Sequence, residues 1–177
     1  MISLIIDCET TGLNPVCDRV VELGFVMTDW SQIMCAISSY VNPEMEFDNA
    51  VNGLTHLSVK HAPKFGELLP FSYMLLLYAD EYIAYNWTFD AGFLREELAR
   101  CGLKLPSRQV FDPFRSVGKM KLHDACAKHN VYTDDIHWHS ALDDAVATFR
   151  LAKQLRGSPT MQSLAATGRE ASLIPRF

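Results

Sequence analysis

The sequence predicts an α/β domain with a mixed five-stranded sheet and helices on both faces. Three observations point there. The chain starts on a continuous apolar run, residues 2–6, that ends in Asp7, as a strand covered on both sides would. Two further strand-like runs follow with only short links, which makes the first three neighbours antiparallel. Beyond residue 80, short apolar runs alternate with helical patterns, the order that gives parallel strands joined through helices.

The elements follow in order. After the first strand, residues 20–28 and 33–41 read as strands joined by a turn at Asp29–Ser31. Residues 55–61 and 66–79 have helical spacing, with Pro63 and Pro70 complicating the boundaries. Tyr82-Ile83-Ala84-Tyr85 is a short fourth strand. The helix over 88–101 then starts on Thr88 as N-cap and stops at Gly102. A fifth strand at 109–111 leads into helices at 113–118 and 120–129. The last helix, 141–155, ends at Gly157-Ser158-Pro159. The expected organisation is one domain over 1–157 and a C-terminal tail over 158–177.

Composition narrows the class. At 49% apolar and 21% charged, the 177 residues read as an ordinary globular protein, large enough for one domain with a real core. No apolar run reaches the length of a membrane span, and no basic, cleavable leader precedes the first strand, so a cytoplasmic protein is expected. The five cysteines show no CxxC spacing and read as free thiols. Charge is uneven. Residues 1–90 hold twelve acidic and three basic side chains, whereas 91–128 hold eight basic and four acidic. That second stretch offers either a phosphate-facing surface or ordinary solvated helix faces.

Three acidic patches carry the chemistry. Asp7 and Glu9 are two apart, so a continuing strand puts both side chains on the face of Ile5, at the carboxyl end where open α/β sheets bind ligands. Thr10-Thr11-Gly12 follows with hydroxyls and amides suited to a phosphate or sugar. Asp90 falls in the first turn of its helix, with Asn86 and Trp87 just before it. In His139-Ser140-Ala141-Leu142-Asp143-Asp144, Ser140 and Asp143 have the S-x-x-D form of a capping box, while Asp144 shares the less polar helix face with Ala141, Thr148 and Leu151. Asp143 therefore reads as structural and Asp144 as functional. Singly, each patch also fits ordinary structure: a polar strand end, an acid on a helix dipole, a capped helix start. Together, four carboxylates converging on one point repel unless divalent cations lie between them, and a histidine beside them points to metal-assisted hydrolysis.

In this order and on these elements, the three patches resemble the DEDD superfamily of 3′–5′ exonucleases, in its His-containing, DnaQ-like (DEDDh) branch, over residues 2–156. Asp7–Gly12 fits D-x-E-T-T-G, Asn86–Asp90 fits N-x-x-F-D, and His139–Asp144 fits H-x-A-x-x-D. The tyrosine branch needs Y-x-x-x-D, and Ile136 stands four residues after Tyr132. Asn52–His56 with Ala62–Phe65 is similar to a segment of the polymerase III epsilon-like members, although Asn52 and Tyr85 stand where histidines are usual. The resemblance implies the RNase H-like fold and release of nucleoside 5′-monophosphates from a 3′ end, expected to be single-stranded DNA. It implies two Mg²⁺ or Mn²⁺ ions on Asp7, Glu9, Asp90 and Asp144, with His139 as general base. It implies substrate contacts from Thr10, Thr11, Gly12, Leu13, His56, Phe65, Asn86 and Trp87, and a structural role for Asp112. An RNA-directed exonuclease of oligoribonuclease or RNase T type is the alternative, followed by a non-catalytic nucleic-acid-binding subunit. A polymerase or clamp partner docking on the tail is a further expectation, set against a tail without a partner.

Overall fold

The computed structural model describes residues 1–48 and 53–157. The strands are β1 (Ser3–Thr10), β2 (Val20–Thr28), β3 (Ile33–Tyr40), β4 (Glu81–Ile83) and β5 (Gln109–Phe111). The helices are α1 (His56–Val59), α2 (Phe65–Tyr78), α3 (Trp87–Arg100), α4 (Pro113–Ser116), α5 (Leu122–Lys128) and α6 (Ala141–Gly157). They build one sheet in the order β3-β2-β1-β4-β5. β1, β2 and β3 pair antiparallel, while β4 runs parallel to β1 and β5 parallel to β4. The predicted mixed five-stranded sheet is the one observed. Asn52 and the tail 158–177 lie outside the described residues.

Alternation along β1 splits the core into two layers. Leu4, Ile6 and Cys8 join Leu76 of α2 and Phe93, Leu94 and Leu98 of α3 on one face. Ile5 joins Val26, Ile83 and, from α6, Ala145, Phe149 and Ala152 on the other. Burial on both faces is why the central strands read as nearly unbroken apolar runs. Among the described residues, no helix is long and apolar enough to cross a membrane.

Helix α3 begins one residue earlier than its sequence indicates. Asn86 is the N-cap, in a left-handed conformation with φ 72°, and Thr88 sits inside the first turn. The Asp112 carboxylate holds that turn by accepting from the Asn86 N–H at 3.1 Å. Helix α2 continues through Pro70, and α6 runs two residues beyond its expected end.

A buried ion pair ties the β1–β2 loop to α3. Arg19 donates from Nε and Nη2 to the two oxygens of Glu97 at 2.7 and 3.0 Å, and Val20 N–H donates to the same group at 3.2 Å. The Glu97 side chain is 1% exposed, so removing its main partner leaves a charge with no solvent to turn to. Arg100, 3.4 Å away, compensates in part. Arg19→Ala is expected to lower stability by about 3 kcal/mol. Replacing Arg19 and Glu97 together by methionine is expected to restore most of it, as read from urea unfolding.

Three of the basic side chains of 91–128 are tied to different parts of the fold. Arg108 donates to the carbonyls of Leu77 and Ala79, at the end of the sheet where β4 begins. Arg100 caps the carbonyls of Pro15 and Val16. Arg115 alone of these three reaches the start of α3, donating to the Thr88 hydroxyl at 3.3 Å.

Candidate active site

The carboxyl ends of β1 and β4 bring the acids together. Asp7 and Glu9 project from β1 on the α6 side, one and two pleats beyond Ile5. Asp90, 2% exposed in the first turn of α3, accepts the Cys8 N–H at 3.0 Å and so locks α3 to β1. Asp144 stands in the first turn of α6, and one of its oxygens accepts the His139 N–H at 3.3 Å. His139 is exposed and takes a left-handed backbone, φ 68°, a conformation that a non-glycine residue adopts at a cost. That turn swings its ring over the site. Ligand atoms of Glu9, His139 and Asp144 all lie within 4.8 Å of one another.

The electrostatics follow from crowding. Burial pushes the Asp7 carboxyl well above its usual range, and the charges of Asp90, Asp144, Glu9 and Glu22 push it further. Burial also raises Asp90, against hydrogen bonds from its own amide and from Cys8. Glu9 is raised to about 8 by burial, then by Asp144 and Glu22. Asp144 is raised to about 6 by burial, against the His139 N–H that holds it down. Burial is the largest cause in all four, and neighbouring carboxylates add to it at Asp7 and Glu9.

The residues fit hard divalent cations. The donor set is carboxylate oxygen, the preferred chemistry of Mg²⁺ and Mn²⁺. Oδ1 of Asp144 is buried with no hydrogen-bond partner among the described residues, so one lone-pair site is left for an ion. The cluster also has a thermodynamic consequence. Glu9 and Asp144 bind protons more tightly folded than unfolded, so without metal the stability falls as pH rises. The penalty is absent below the unfolded pKa near 4 and complete above about pH 8. The thermal midpoint in chelator is therefore expected to drop between pH 5 and pH 8.5, and saturating Mg²⁺ or Mn²⁺ to remove most of that drop, in parallel melting curves.

The other expected site residues separate into groups. Thr10 donates to the Gly12 carbonyl at 2.6 Å, and Thr11 donates to Asp18 at 3.2 Å while accepting from the Arg19 N–H. Their hydroxyls are turned into the β1–β2 loop and shape it. A Cβ on Gly12 would stand 2.5 Å from the Asp18 carboxylate, so a larger residue there would push that side chain aside. This loop presents Leu13, 84% exposed. Leu13 and Asn86 line a hollow of about 380 Å³ together with Pro15, Thr88, Phe89 and Phe93. Trp87 packs on Tyr82, ring centroids 5.5 Å apart, rather than lining that hollow. His56 lines a second hollow with Glu46, Phe47, Asp48, Thr55 and Leu57. Phe65 does not fit its expected substrate contact: at 2% exposure it is part of the core beside Leu76. Asp143 is structural by a different route from a capping box, since its carboxylate accepts from the N–H of His137 at 3.0 Å.

Sequence reasoning passed over Glu22. It lies on β2 directly opposite Glu9, is 6% exposed, and acts on three of the acids. Its signal was present: a lone acid in Val-Val-Glu-Leu-Gly-Phe-Val, a strand buried along its whole length.

Comparison with known proteins gives the family. The exonuclease family (RNase_T) matches residues 4–152. The DNA polymerase III PolC-type protein of Clostridium perfringens is 30% identical over 159 residues, which is 85% of this chain and 11% of that protein. The DNA polymerase III subunit epsilon of Treponema pallidum is 29% identical over 111 residues, covering 61% of this chain and 51% of that one. The chain thus spans only part of the length of these relatives. Among solved structures, E. coli exonuclease I in complex with a dA16 oligonucleotide superposes with a TM-score of 0.74 at 17% identity, over 98% of this chain and 46% of that one. Exonuclease X in complex with 5′ overhanging duplex DNA gives 0.69 at 21% identity, over 89% and 93%. These neighbours have the RNase H-like fold. With the match running from β1 to α6, the chain belongs to the exonuclease family.

Proposed function

We propose that this chain is a metal-dependent 3′–5′ exonuclease, that residues 1–157 make up its catalytic domain, and that single-stranded DNA is its substrate. The observation that carries the reading is that Asp7 lies buried among Asp90, Asp144 and Glu9, while ligand atoms of Glu9, Asp144 and His139 lie within 4.8 Å of one another. Asp7, Glu9, Asp90 and Asp144 would hold two ions, Mg²⁺ or Mn²⁺. When bound, such ions supply charge stabilisation at the attacking and leaving oxygens of an in-line displacement.

The chain's own residues do the rest. An imidazole nitrogen of His139 takes the proton of the attacking water as general base. The Asp144 carboxylate steadies the backbone that carries that ring. The hollow between Leu13 and Asn86 takes the terminal nucleotide, with Leu13 and Phe89 offering apolar surface to a base. Arg115, beside Thr88, is placed to meet a backbone phosphate. Preference for DNA is supported by relatives named as DNA polymerase III and by neighbours solved in complex with a dA16 oligonucleotide and with duplex DNA. A polymerase-type partner and a cytoplasmic location rest on the same relatives.

Paired digestion of end-labelled single-stranded DNA and RNA, each with Mg²⁺ and with chelator, tests this. DNA is expected to shorten from its 3′ end, releasing 5′-mononucleotides, faster than RNA and only with metal. Faster decay of RNA would sink the DNA assignment in favour of an RNA-directed exonuclease.

A further inference from the structure

Glu22 is the acid that the proposed reaction leaves unused, and its placement is costly. Burial raises its pKa, and it adds a fifth negative charge beside Asp7, Glu9 and Asp144. Something local must offset that cost. Glu22 stands on β2 two residues before Gly24, beside the start of α6, and the Ala141 N–H and the Ser140 hydroxyl hold its pKa down. These groups form the start of α6, where N–H groups have no helical partner and the helix dipole favours a negative charge.

Two residues along the same face of β2, Gly24 completes the seat. A Cβ there would stand 2.4 Å from both the C and the O atoms of Ala141 and 2.7 Å from the Leu142 nitrogen. The backbone at the start of α6 therefore lies directly on the strand. Ser140 and Ala141 sit between the two side chains that matter most. His139 precedes Ser140. Asp144 returns its N–H to the Ser140 carbonyl at 2.9 Å and accepts the His139 N–H at 3.3 Å. A shift of the Ser140–Ala141 backbone moves His139 and Asp144 together, away from Asp7 and Glu9 on β1.

We propose that Glu22 is a positioning residue: from β2 it holds the Ser140–Ala141 start of α6 on its Gly24 seat, and so sets His139 and Asp144 against the acids of β1. The inference rests on the exonuclease reading for its effect on turnover, but not for its effect on structure.

The test compares Glu22→Ala, Glu22→Gln and Ser140→Ala with the unaltered chain. The readouts are kcat and KM on single-stranded DNA, Mn²⁺ binding by calorimetry, and backbone amide resonances of His139–Leu142 without metal. Glu22→Ala is expected to shift those resonances, weaken Mn²⁺ binding and lower kcat by about 10–100-fold, the size typical of a residue that orients metal ligands, with KM little changed. Glu22→Gln keeps an acceptor oxygen without the charge and is expected to recover most of the loss in both kcat and Mn²⁺ binding. Should Glu22→Ala fail to fold, Ser140→Ala carries the test and is expected to lower kcat with KM unchanged. A glutamine variant as impaired as the alanine one would overturn the proposal, since the charge itself would then be needed. So would unmoved resonances with full turnover in Glu22→Ala, or full turnover in Ser140→Ala. If the unaltered chain digests nothing, the exonuclease reading fails by itself, and the resonances and Mn²⁺ binding still decide the positioning role.

Discussion

Asp7→Asn is expected to lower kcat by at least about 10³-fold, the loss of roughly 4 kcal/mol of transition-state stabilisation. The same substitution is expected to raise the thermal midpoint of the metal-free protein by about 3–8 °C. The opposite signs have one cause. Asp7 lies where burial and the charges of Asp90, Asp144, Glu9 and Glu22 all disfavour its ionised form. Asparagine keeps the shape, removes the charge from the most crowded point, and takes away a ligand oxygen. A residue retained for stability would show losses in both measurements. Melting curves in chelator, with single-turnover rates in Mg²⁺, separate the two effects. The gain in stability should vanish when metal is added, because the ion offsets the repulsion in the unaltered chain and has less to hold in the variant.

His139→Ala is expected to lower kcat by about 10²–10⁴-fold, the usual worth of a positioned general base, with Mn²⁺ affinity and KM changed little. The distinction from Asp7→Asn lies in the metal. His139 is exposed on a left-handed turn, and it presents a ring nitrogen within 4.8 Å of Glu9 and Asp144. A proton acceptor fits that position, and removing it leaves the carboxylate set intact. If Mn²⁺ binding fell as steeply as turnover, His139 would be a ligand and the base would have to be sought elsewhere.

The legible parts of the structure are those written in local spacing. An apolar run that ends in Asp7 and Glu9 places a strand and its acid end. The 139–144 stretch places Asp144 in the first turn of a helix, and the two-residue and 3.6-residue periods do this without knowledge of partners. What local spacing did not carry is what depends on distant pairing. Glu22 gains its meaning only once β2 lies beside β1 and under α6. Arg19 and Glu97 are 78 residues apart, and nothing near either one foretells the pair. Phe65 resembles a substrate contact in sequence, but α2 turns it into the core. The N-cap of α3 lies two residues before Thr88, which is a good cap by composition. Asp112, from the end of β5, stabilises the left-handed Asn86 instead. For Asp143 the local rule gave the right class of role and the wrong partner, since the loop before α6 brings the His137 N–H within reach.

The central claim is that the acids around Asp7 form a metal-dependent centre that removes nucleotides from a 3′ end. The most direct measurement follows 5′-labelled single-stranded DNA with chelator-treated protein before and after Mg²⁺ is restored. The account predicts no cleavage in chelator, then a ladder shortening one nucleotide at a time from the 3′ end once Mg²⁺ returns, and none with Asp7→Asn. Cleavage that persists in chelator, or that survives Asp7→Asn undiminished, would contradict it.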